Sequence, residues 1–279
     1  MPEGHIIHRL ARDHVGLFGG LHVAVDSPQG RFAEGAARLD GRIFEGAEAF
    51  GKHLFHDYGD DLGLHVHLGL YGAFRQGMGQ PPTPRGAIRV RLVTPRSWAE
   101  LRGPTACELV TGDERRLIVN RLGADPLRRD ADVERTRSRA ARSRTPVAAL
   151  LMDQSVVAGV GNVFRAEVLF RHGVDPYLPA EQLPAEVFDS IWGDLVTLMR
   201  TGVRTGGIVT TLPQDRDARR GPVAPEDRYY VYRRRGLACR RCGSPVQVAE
   251  LAARNLYWCP TCQPTGSAGR PESLQPSVR

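Results

Sequence analysis

Residues 239–262 read CRRCGSPVQVAELAARNLYWCPTC, and this stretch holds four of the five cysteines in the chain. Two CxxC pairs, Cys239 with Cys242 and Cys259 with Cys262, stand 16 residues apart. Paired knuckles of this kind place four thiolates tetrahedrally around one zinc ion. A four-thiolate set leaves no open coordination position, so the sequence predicts a structural zinc. The module is too small to keep its shape alone, and the metal supplies its folding free energy.

The remaining cysteine and the residues around the knuckles complete this picture. Cys107 stands alone and is predicted to be a small buried core residue. Arg254 lies between the two pairs, at the tip of a predicted hairpin. Taken alone, Arg254 is either a surface charge or a group presented to a ligand.

Composition limits the class of protein. A chain of 279 residues is long enough for two or three domains. The net charge of +7 and the isoelectric point near 9.5 favour a polyanionic partner such as nucleic acid or a membrane surface. No apolar run approaches a membrane span, and charged residues interrupt the first twenty positions, so we expect neither a membrane anchor nor a signal peptide. These observations favour a cytoplasmic protein.

The pattern of apolar and polar residues predicts an α+β protein of several domains. Residues 88–93 alternate as a half-buried strand does, and 3–18 have helical spacing. The predicted boundaries are 1–120 for a β-rich domain, 121–145 for an arginine-rich linker or exposed helix face, 146–228 for a helical domain, 229–263 for the cysteine module and 264–279 for a disordered tail.

Two short motifs in the β-rich part carry candidate functional side chains. Gly51-Lys52 lies between two β-like runs and predicts a hairpin tip, where Lys52 alone is an exposed turn residue. His65 and His67 are two apart on one face of a strand, which permits a metal pair. No third ligand follows at a convincing spacing, so a packed or DNA-facing histidine pair is the favoured interpretation.

A glycine-rich turn opens one of the predicted helices. Gly159-Val-Gly-Asn162 precedes a helical run over 164–171. Backbone N–H groups at a helix N-terminus bind phosphate well. Asn162 either caps this helix or donates to a phosphate, and the sequence leaves both roles open.

The chain begins Met1-Pro2-Glu3-Gly4. Removal of Met1 would make Pro2 a terminal secondary amine, which can attack a sugar carbon and form an iminium. Unperturbed α-amines titrate near pKa ~8, so part of the amine is neutral at physiological pH. Glu3 places a carboxylate directly beside it.

Taken in their order along the chain, from Pro2-Glu3 to the cysteine module, these motifs resemble those of the formamidopyrimidine-DNA glycosylase and endonuclease VIII family of base-excision repair enzymes. The endonuclease VIII branch is the more similar of the two, and the resemblance runs from Pro2 to about Gln263. It implies an N-terminal β-sandwich with flanking helices, a C-terminal helix–two-turn–helix domain and a four-cysteine zinc finger. It also implies a DNA glycosylase with AP lyase activity, working by β,δ-elimination through a proline Schiff base.

The resemblance implies roles for individual residues of this chain. Four of them would be catalytic: Pro2 as the nucleophile at C1′, Glu3 as the acid and base, Lys52 as a phosphate contact that assists elimination, and Arg254 as the finger arginine at the flanking phosphates. Four more would bind DNA: Asn162 at a backbone phosphate, Arg121 in the manner of the endonuclease VIII branch, and Leu70 with Tyr71 as a wedge in place of the extruded base. The implied partner is damaged DNA, duplex or single-stranded, bound by a monomer.

Two positions depart from the family pattern. Ile6 stands where many members carry a further glutamate, and Gly69 stands where the endonuclease VIII wedge usually has a glutamine. The loop 213–228 is also shorter and more polar than the loop that the resemblance implies for capping 8-oxoguanine in the formamidopyrimidine branch. We therefore expect oxidised pyrimidines or abasic sites as substrates.

Two rival hypotheses remain. A non-catalytic protein that binds damaged or abasic DNA would share the scaffold, and the departures at Ile6 and Gly69 favour it. An unrelated zinc-ribbon protein of transcription or translation would explain the cysteines and the charge. It would leave Pro2, Glu3 and Lys52 as coincidences.

Overall fold

The computed structural model describes residues 2–217 and 221–269, which fall into two compact units divided after Leu122. Among the described helices, none combines the length and the apolar composition that a membrane crossing needs. The elements of the first unit are α1 (Gly4–Phe18), β1 (Ala24–Asp26), α2 (Ala33–Leu39), β2 (Gly46–Phe50), β3 (His53–Asp57), β4 (Gly63–His67), β5 (Ala73–Met78), β6 (Ile88–Val93), β7 (Ser97–Arg102), β8 (Ala106–Val110) and α3 (Gly112–Val119).

Two four-stranded antiparallel sheets form the first unit, with strand orders β2-β3-β4-β8 and β1-β6-β7-β5. One hydrophobic core joins them, so the β-sandwich with flanking helices is confirmed. The first sheet contributes Leu64 and Val66 to this core, and the second contributes Leu92 and Leu101. Cys107 is buried in the same core, as predicted.

Helix α1 lies on this sandwich because one of its faces is apolar. Ile7, Leu10 and Phe18 are buried, and the helix packs against β2, β3 and β7. Its start at Gly4 and its end at Phe18 agree with the helix predicted over 3–18. The packing fixes the direction in which the first residues of the chain point.

The second unit is helical and ends in a two-stranded hairpin. Its elements are α4 (Val133–Ala140), α5 (Val147–Leu150), α6 (Asn162–Arg171), α7 (Ala185–Thr205), β9 (Gln247–Leu251) and β10 (Arg254–Trp258). Helix α4 lies inside the segment predicted as an arginine-rich linker. Its Thr136 and Ala140 are buried, while its arginines stay at least partly exposed.

Helix α6 is the centre of the second unit, since all ten of its residues are buried. The carboxylate of Glu167 accepts hydrogen bonds from the backbone N–H groups of Tyr230, Val231 and Tyr232, at 2.8 to 2.9 Å. Thr210 also donates its hydroxyl to this carboxylate. A buried carboxylate with this many donors fixes the segment that leads into the cysteine module.

The ends of the second unit differ in part from the sequence prediction. Residues 264–269 are ordered, because Gly266 donates its N–H to Asp175 at 2.8 Å and Ser267 donates its hydroxyl to the carbonyl of Gly173 at 2.8 Å. The rest of the predicted tail, 270–279, lies outside the described residues. The loop 213–228 holds two short 3-10 turns, and its residues 218–220 also lie outside that part of the chain.

Candidate functional site

The N-terminal end of α1 carries the first two candidate residues. Pro2 is half-buried, and Glu3 is fully buried at the position that precedes the helix. The first turn of a helix has backbone N–H groups without helical partners and a partial positive charge, which stabilises a carboxylate there. An amine and a buried carboxylate on adjacent residues can serve as nucleophile and proton carrier.

His5 adds a neutral group beside them. Its ring is 3% exposed, and burial followed by the positive charge of the chain terminus lowers its pKa to about 4. The ring is therefore uncharged at physiological pH. His5 therefore does not offer an imidazolium proton beside Glu3 at this pH.

Lys52 lies at the tip of the β2–β3 hairpin. Phe50 pairs with His53, so Gly51 and Lys52 form a two-residue turn, and Gly51 has the positive φ of +58° that such turns require. Helix α1 packs against both strands of this hairpin. The elements that carry Pro2, Glu3 and Lys52 are thus in direct contact within one unit.

Arg121 follows α3 and adds positive charge near the same hairpin. The pKa of His53 is lowered to about 3, first by burial and then by the positive charges of His65, His67, Arg121 and Lys52. The Arg121 guanidinium also donates to the carbonyl of Leu117 at 3.0 Å. The predicted DNA-binding arginine and the hairpin lysine therefore both place positive charge near His53.

The predicted wedge residues lie on a tight turn after β4. The N–H of Gly72 donates to the carbonyl of Leu68 at 3.0 Å, which projects Leu70 and Tyr71 outward with exposed fractions of 43% and 85%. Gly69 has a φ of +65°, and a Cβ atom there would lie 1.9 Å from the hydroxyl oxygen of Thr105. A residue with a side chain would therefore be strained at this position of the turn.

Asn162 is the first residue of α6, and Gly161 precedes the helix in the capping position. Asn162 therefore does not occupy the N-cap itself. Its amide nitrogen donates to the carbonyl of Asn255 at 2.8 Å, and its amide oxygen accepts from the Arg165 guanidinium. Asn255 directly follows Arg254 in β10. This hydrogen bond therefore joins the start of α6 to the β9–β10 hairpin (the finger hairpin), next to Asn162 and Arg254, the two residues predicted to bind phosphate.

Arg165 is a residue that the sequence reasoning missed. Its side chain is fully buried, and the guanidinium also approaches the carbonyls of Ala148 and Asn255 at 3.4 and 3.5 Å. The available signal was its spacing, because an arginine three positions after Asn162 lies on the same helix face.

Arg254 is exposed at the start of β10. The preceding turn is formed by Ala252 and Ala253, with positive φ values of 53° and 56°. Both values lie in the left-handed region of backbone conformation, which non-glycine residues rarely adopt, so the two alanines are strained. The turn nevertheless directs the finger hairpin so that Arg254 faces solvent.

The four finger cysteines fit one zinc ion. Their sulfur atoms lie within 4.8 Å of one another, with 3.8 Å between Cys239 and Cys262 and 3.4 Å between Cys242 and Cys259. Tetrahedral Zn–S bonds of about 2.3 Å require sulfurs roughly 3.8 Å apart, and a disulfide would require about 2 Å. The sulfur spacing, set by two CxxC knuckles, matches a structural zinc site.

The histidine pair predicted on β4 does not form a second metal group of this kind. Within 2–217 and 221–269, only the four cysteines place three or more candidate ligand atoms close together. His65 instead packs face to face with Phe55, at 4.9 Å between ring centroids. The interpretation of packed histidines is confirmed for His65.

Comparison with known proteins defines the class. Residues 1–118 match the formamidopyrimidine-DNA glycosylase N-terminal domain, residues 122–214 match the H2TH domain of the same proteins, and residues 236–265 match the zinc finger found in FPG and IleRS. This combination of domains is that of a DNA glycosylase. The chain belongs to the formamidopyrimidine-DNA glycosylase and endonuclease VIII family.

Individual relatives support this membership. Endonuclease 8 1 of Mycobacterium tuberculosis (strain ATCC 25618 / H37Rv) is 49% identical over 267 residues, covering 94% of this chain and 100% of that protein. The probable endonuclease 8 2 of Streptomyces coelicolor is 36% identical, covering 97% of this chain and 96% of its own length. A Lactococcus lactis Fpg in complex with abasic-site DNA shares the fold, with a TM-score of 0.77, 22% identity and coverage of 94% and 99%.

Proposed function

We propose that the protein is a base-excision-repair DNA glycosylase with AP lyase activity. It removes oxidised bases and nicks abasic sites by β,δ-elimination. The observation that carries this proposal is the fully buried carboxylate of Glu3 beside Pro2, on a helix packed against the Lys52 hairpin. The similarity to endonuclease 8 proteins supports the same reaction class.

The reaction begins once Met1 has been removed, because the Pro2 nitrogen is otherwise a tertiary amide. A base inside a duplex is inaccessible, so the damaged nucleotide must first be turned out, at a cost of a few kcal/mol. The Pro2 nitrogen then attacks C1′, and the base departs with the electron pair of the broken C1′–N bond and takes a proton from water. Glu3 takes up the proton that the amine loses and delivers it to the ring oxygen as the C1′–O4′ bond breaks and the sugar ring opens. The product is an iminium that links Pro2 to the opened sugar.

Strand cleavage follows from the acidity that the iminium gives to C2′. Loss of a C2′ proton breaks the C3′–O bond in β-elimination, and a second elimination breaks the C5′–O bond. The Lys52 ammonium would hold a phosphate and assist these steps. Hydrolysis of the final Schiff base would return Pro2 to its starting amine.

We assign the flanking phosphates to a set of four residues: Lys52, Arg121, Asn162 and Arg254. Contacts to phosphate carry no sequence information, which suits an enzyme that must act at damage in any sequence. Leu70 and Tyr71 would fill the space left by the extruded base, because both are exposed on the turn that follows β4.

The proposed substrates are oxidised pyrimidines and abasic sites. We would test a panel of oligonucleotides that carry thymine glycol, 5-hydroxyuracil, 8-oxoguanine or an abasic site, each in duplex and single-stranded form. We expect faster cleavage at the pyrimidine lesions and abasic site than at 8-oxoguanine, with phosphate at both ends of the gap. Preferential cleavage at 8-oxoguanine would contradict this substrate assignment.

A non-catalytic role in binding abasic DNA is the second candidate, and Ile6 is the observation that favours it. The same panel separates the two functions. Tight binding to abasic DNA without nicking, by protein lacking Met1, would support the binding role.

We also propose that the protein acts as a monomer in the cytoplasm, and light scattering of the purified zinc-loaded chain would test its oligomeric state.

A further inference from the structure

One face of the sheet β2-β3-β4-β8 carries a row of histidines. Side chains alternate between the two faces of a strand, so Leu54 and Val66 point to the core while the residues beside them point away from it. In the strand register, His53 lies opposite His67, and His65 lies opposite Glu108. The three histidines and the glutamate therefore share the face that points away from the core, and His53 directly follows the Lys52 turn.

Glu108, His65 and His53 form a chain across this face. The His53 Nδ1 and His65 Nε2 atoms are 2.9 Å apart, and the two rings are stacked with centroids 5.1 Å apart. The other nitrogen of His65, Nδ1, lies 3.5 Å from a carboxylate oxygen of Glu108. This last distance is longer than a hydrogen bond, so the contact is an electrostatic one, made by a Glu108 side chain that is 59% exposed.

The carboxylate favours one arrangement of the protons on these two rings. A negative oxygen near Nδ1 of His65 favours a proton on that nitrogen. The Nε2 atom of a neutral His65 is then an acceptor, so Nδ1 of His53 must be the donor in their contact. The single ring proton of a neutral His53 therefore lies on Nδ1, in the contact with His65, and the Nε2 atom of His53 carries a lone pair.

The neighbours of His53 explain why it is neutral in the free protein. Positive charge faces His53 from Lys52 on the turn and Arg121 after α3, and from His65 and His67 on β4 when these two rings are protonated. The other charged groups on this face are Arg115 on α3, Glu48 on β2, Asp57 on β3 and Glu108 on β8. Burial and the cations together hold the pKa of His53 at about 3. An arriving phosphate would offset the cations and favour the imidazolium form.

We propose that His53 is a further DNA-phosphate-binding residue, which takes up a proton on Nε2 when the phosphate binds. This proposal rests on the proposed function, since it takes damaged DNA as the ligand. The proton comes from solvent, and the new N–H donates to a phosphate oxygen that the lone pair would otherwise repel. The Glu108–His65 pair acts as the positioning element, because it keeps the tautomer that makes binding depend on proton uptake.

Binding linked to proton uptake has a definite sign. DNA raises the pKa of His53 above its value in the free protein, so affinity is greatest at low pH and falls as the pH rises through the pKa of the complex. One linked proton changes the dissociation constant by at most about tenfold per pH unit. His67 lies beside His53 and can add its own proton, so the contribution of His53 must be isolated with variants.

The test uses the full-length zinc-loaded protein without Met1 and a duplex that carries a tetrahydrofuran abasic-site analogue. Fluorescence anisotropy from pH 5.5 to 8.5 at constant ionic strength gives the pH slope of the dissociation constant. Calorimetry in two buffers of different ionisation enthalpy gives the proton uptake directly. The variants are His53→Gln, whose amide donates without titrating, and Glu108→Gln at an exposed position, which leaves the fold intact.

We expect wild type to take up protons on binding, and both variants to take up fewer and to show a flatter pH slope. His22→Gln is the matched control, because His22 is exposed, lies on the loop before β1, and should leave the slope unchanged. Equal proton uptake in wild type, His53→Gln and Glu108→Gln would overturn the proposal. If wild type also cleaves abasic DNA in that case, the proposed function stands. If wild type neither binds nor cleaves, both fail.

Discussion

The buried guanidinium of Arg165 determines the direction of the Asn162 amide. A guanidinium is only a donor, so it holds the amide oxygen and turns the amide nitrogen toward the carbonyl of Asn255. The nitrogen has two hydrogens, and the second can donate to a phosphate. The orientation proposed for DNA binding thus exists before DNA arrives.

A double-mutant cycle tests this coupling. We expect Arg165→Met to weaken binding of abasic-site DNA about as much as Asn162→Ala, and the double variant to be no weaker than either, because one residue acts through the other. Arg165→Met should also lower the free energy of unfolding by about 1–3 kcal/mol, since buried acceptors lose their donor. Additive losses of binding energy would show that the two residues act independently.

Arg254 differs because it is exposed. We expect Arg254→Ala to leave the free energy of unfolding within about 0.5 kcal/mol of wild type. It should weaken DNA binding and reduce the slope of log affinity against log salt by about one phosphate contact. Arg200→Ala, at an exposed position of α7, is the matched control. Equal salt slopes for both variants would argue against the phosphate contact.

His14 gives the first unit a dependence on pH. Its Nδ1 lies 2.9 Å from Nε2 of His56, its Nε2 lies 2.9 Å from the amide oxygen of Gln76, and burial lowers its pKa to about 4. In the unfolded chain the His14 ring takes up a proton below about pH 6.5, whereas in the folded chain it does so only below about pH 4. Stability is therefore retained above about pH 6.5 and lost as the pH falls toward 4, by up to about 3 kcal/mol.

Urea unfolding at several pH values measures this loss. His14→Met removes the titrating ring, so its stability should be lower at pH 7 but should fall less steeply below pH 6.5. Other buried histidines, such as His5, account for the slope that remains. An unchanged slope in the variant would assign the acid sensitivity elsewhere.

The zinc finger is the element that depends most on a single ligand. Its hydrophobic cluster is small, with Tyr230, Val231 and Val246 among its members, so thiolate–zinc bonds must supply much of its stability. Cys239→Ser should lower the zinc content, abolish hydrogen-exchange protection across 236–263 and weaken DNA binding. Cys107→Ala, outside the finger, should keep one zinc per chain. Full zinc content in the Cys239 variant would contradict the four-thiolate site.

The elements differ in how far the sequence predicts them. The cysteine spacing identified the zinc site because coordination chemistry restricts the ligand pattern. Helical spacing identified α1, and a glycine before Lys52 identified the hairpin. The contacts of Asn162 with Asn255 and of Glu167 with Tyr230 could not be predicted, because they join residues 93 and 63 positions apart. Such pairs leave no local periodicity.

At the level of the entire chain, the net charge of +7 favours binding of a polyanion, and each of the two units carries candidate residues for it. The first unit carries Pro2, Glu3 and Lys52, and the second carries Asn162 and Arg254. The resemblance to a known family proposed all five as site residues from the sequence. Their roles in this chain stay predictions until the reaction is measured.

Borohydride trapping tests the central proposal most directly. Protein without Met1 is incubated with abasic-site DNA and borohydride, and the adduct is digested and mapped by mass spectrometry. We predict a covalent link between the sugar and the Pro2 nitrogen, no adduct when an N-terminal extension keeps that nitrogen in an amide, and loss of most strand cleavage in Pro2→Gly. An adduct on a lysine, or full trapping and cleavage by the extended protein, would contradict the assignment of Pro2 as the nucleophile.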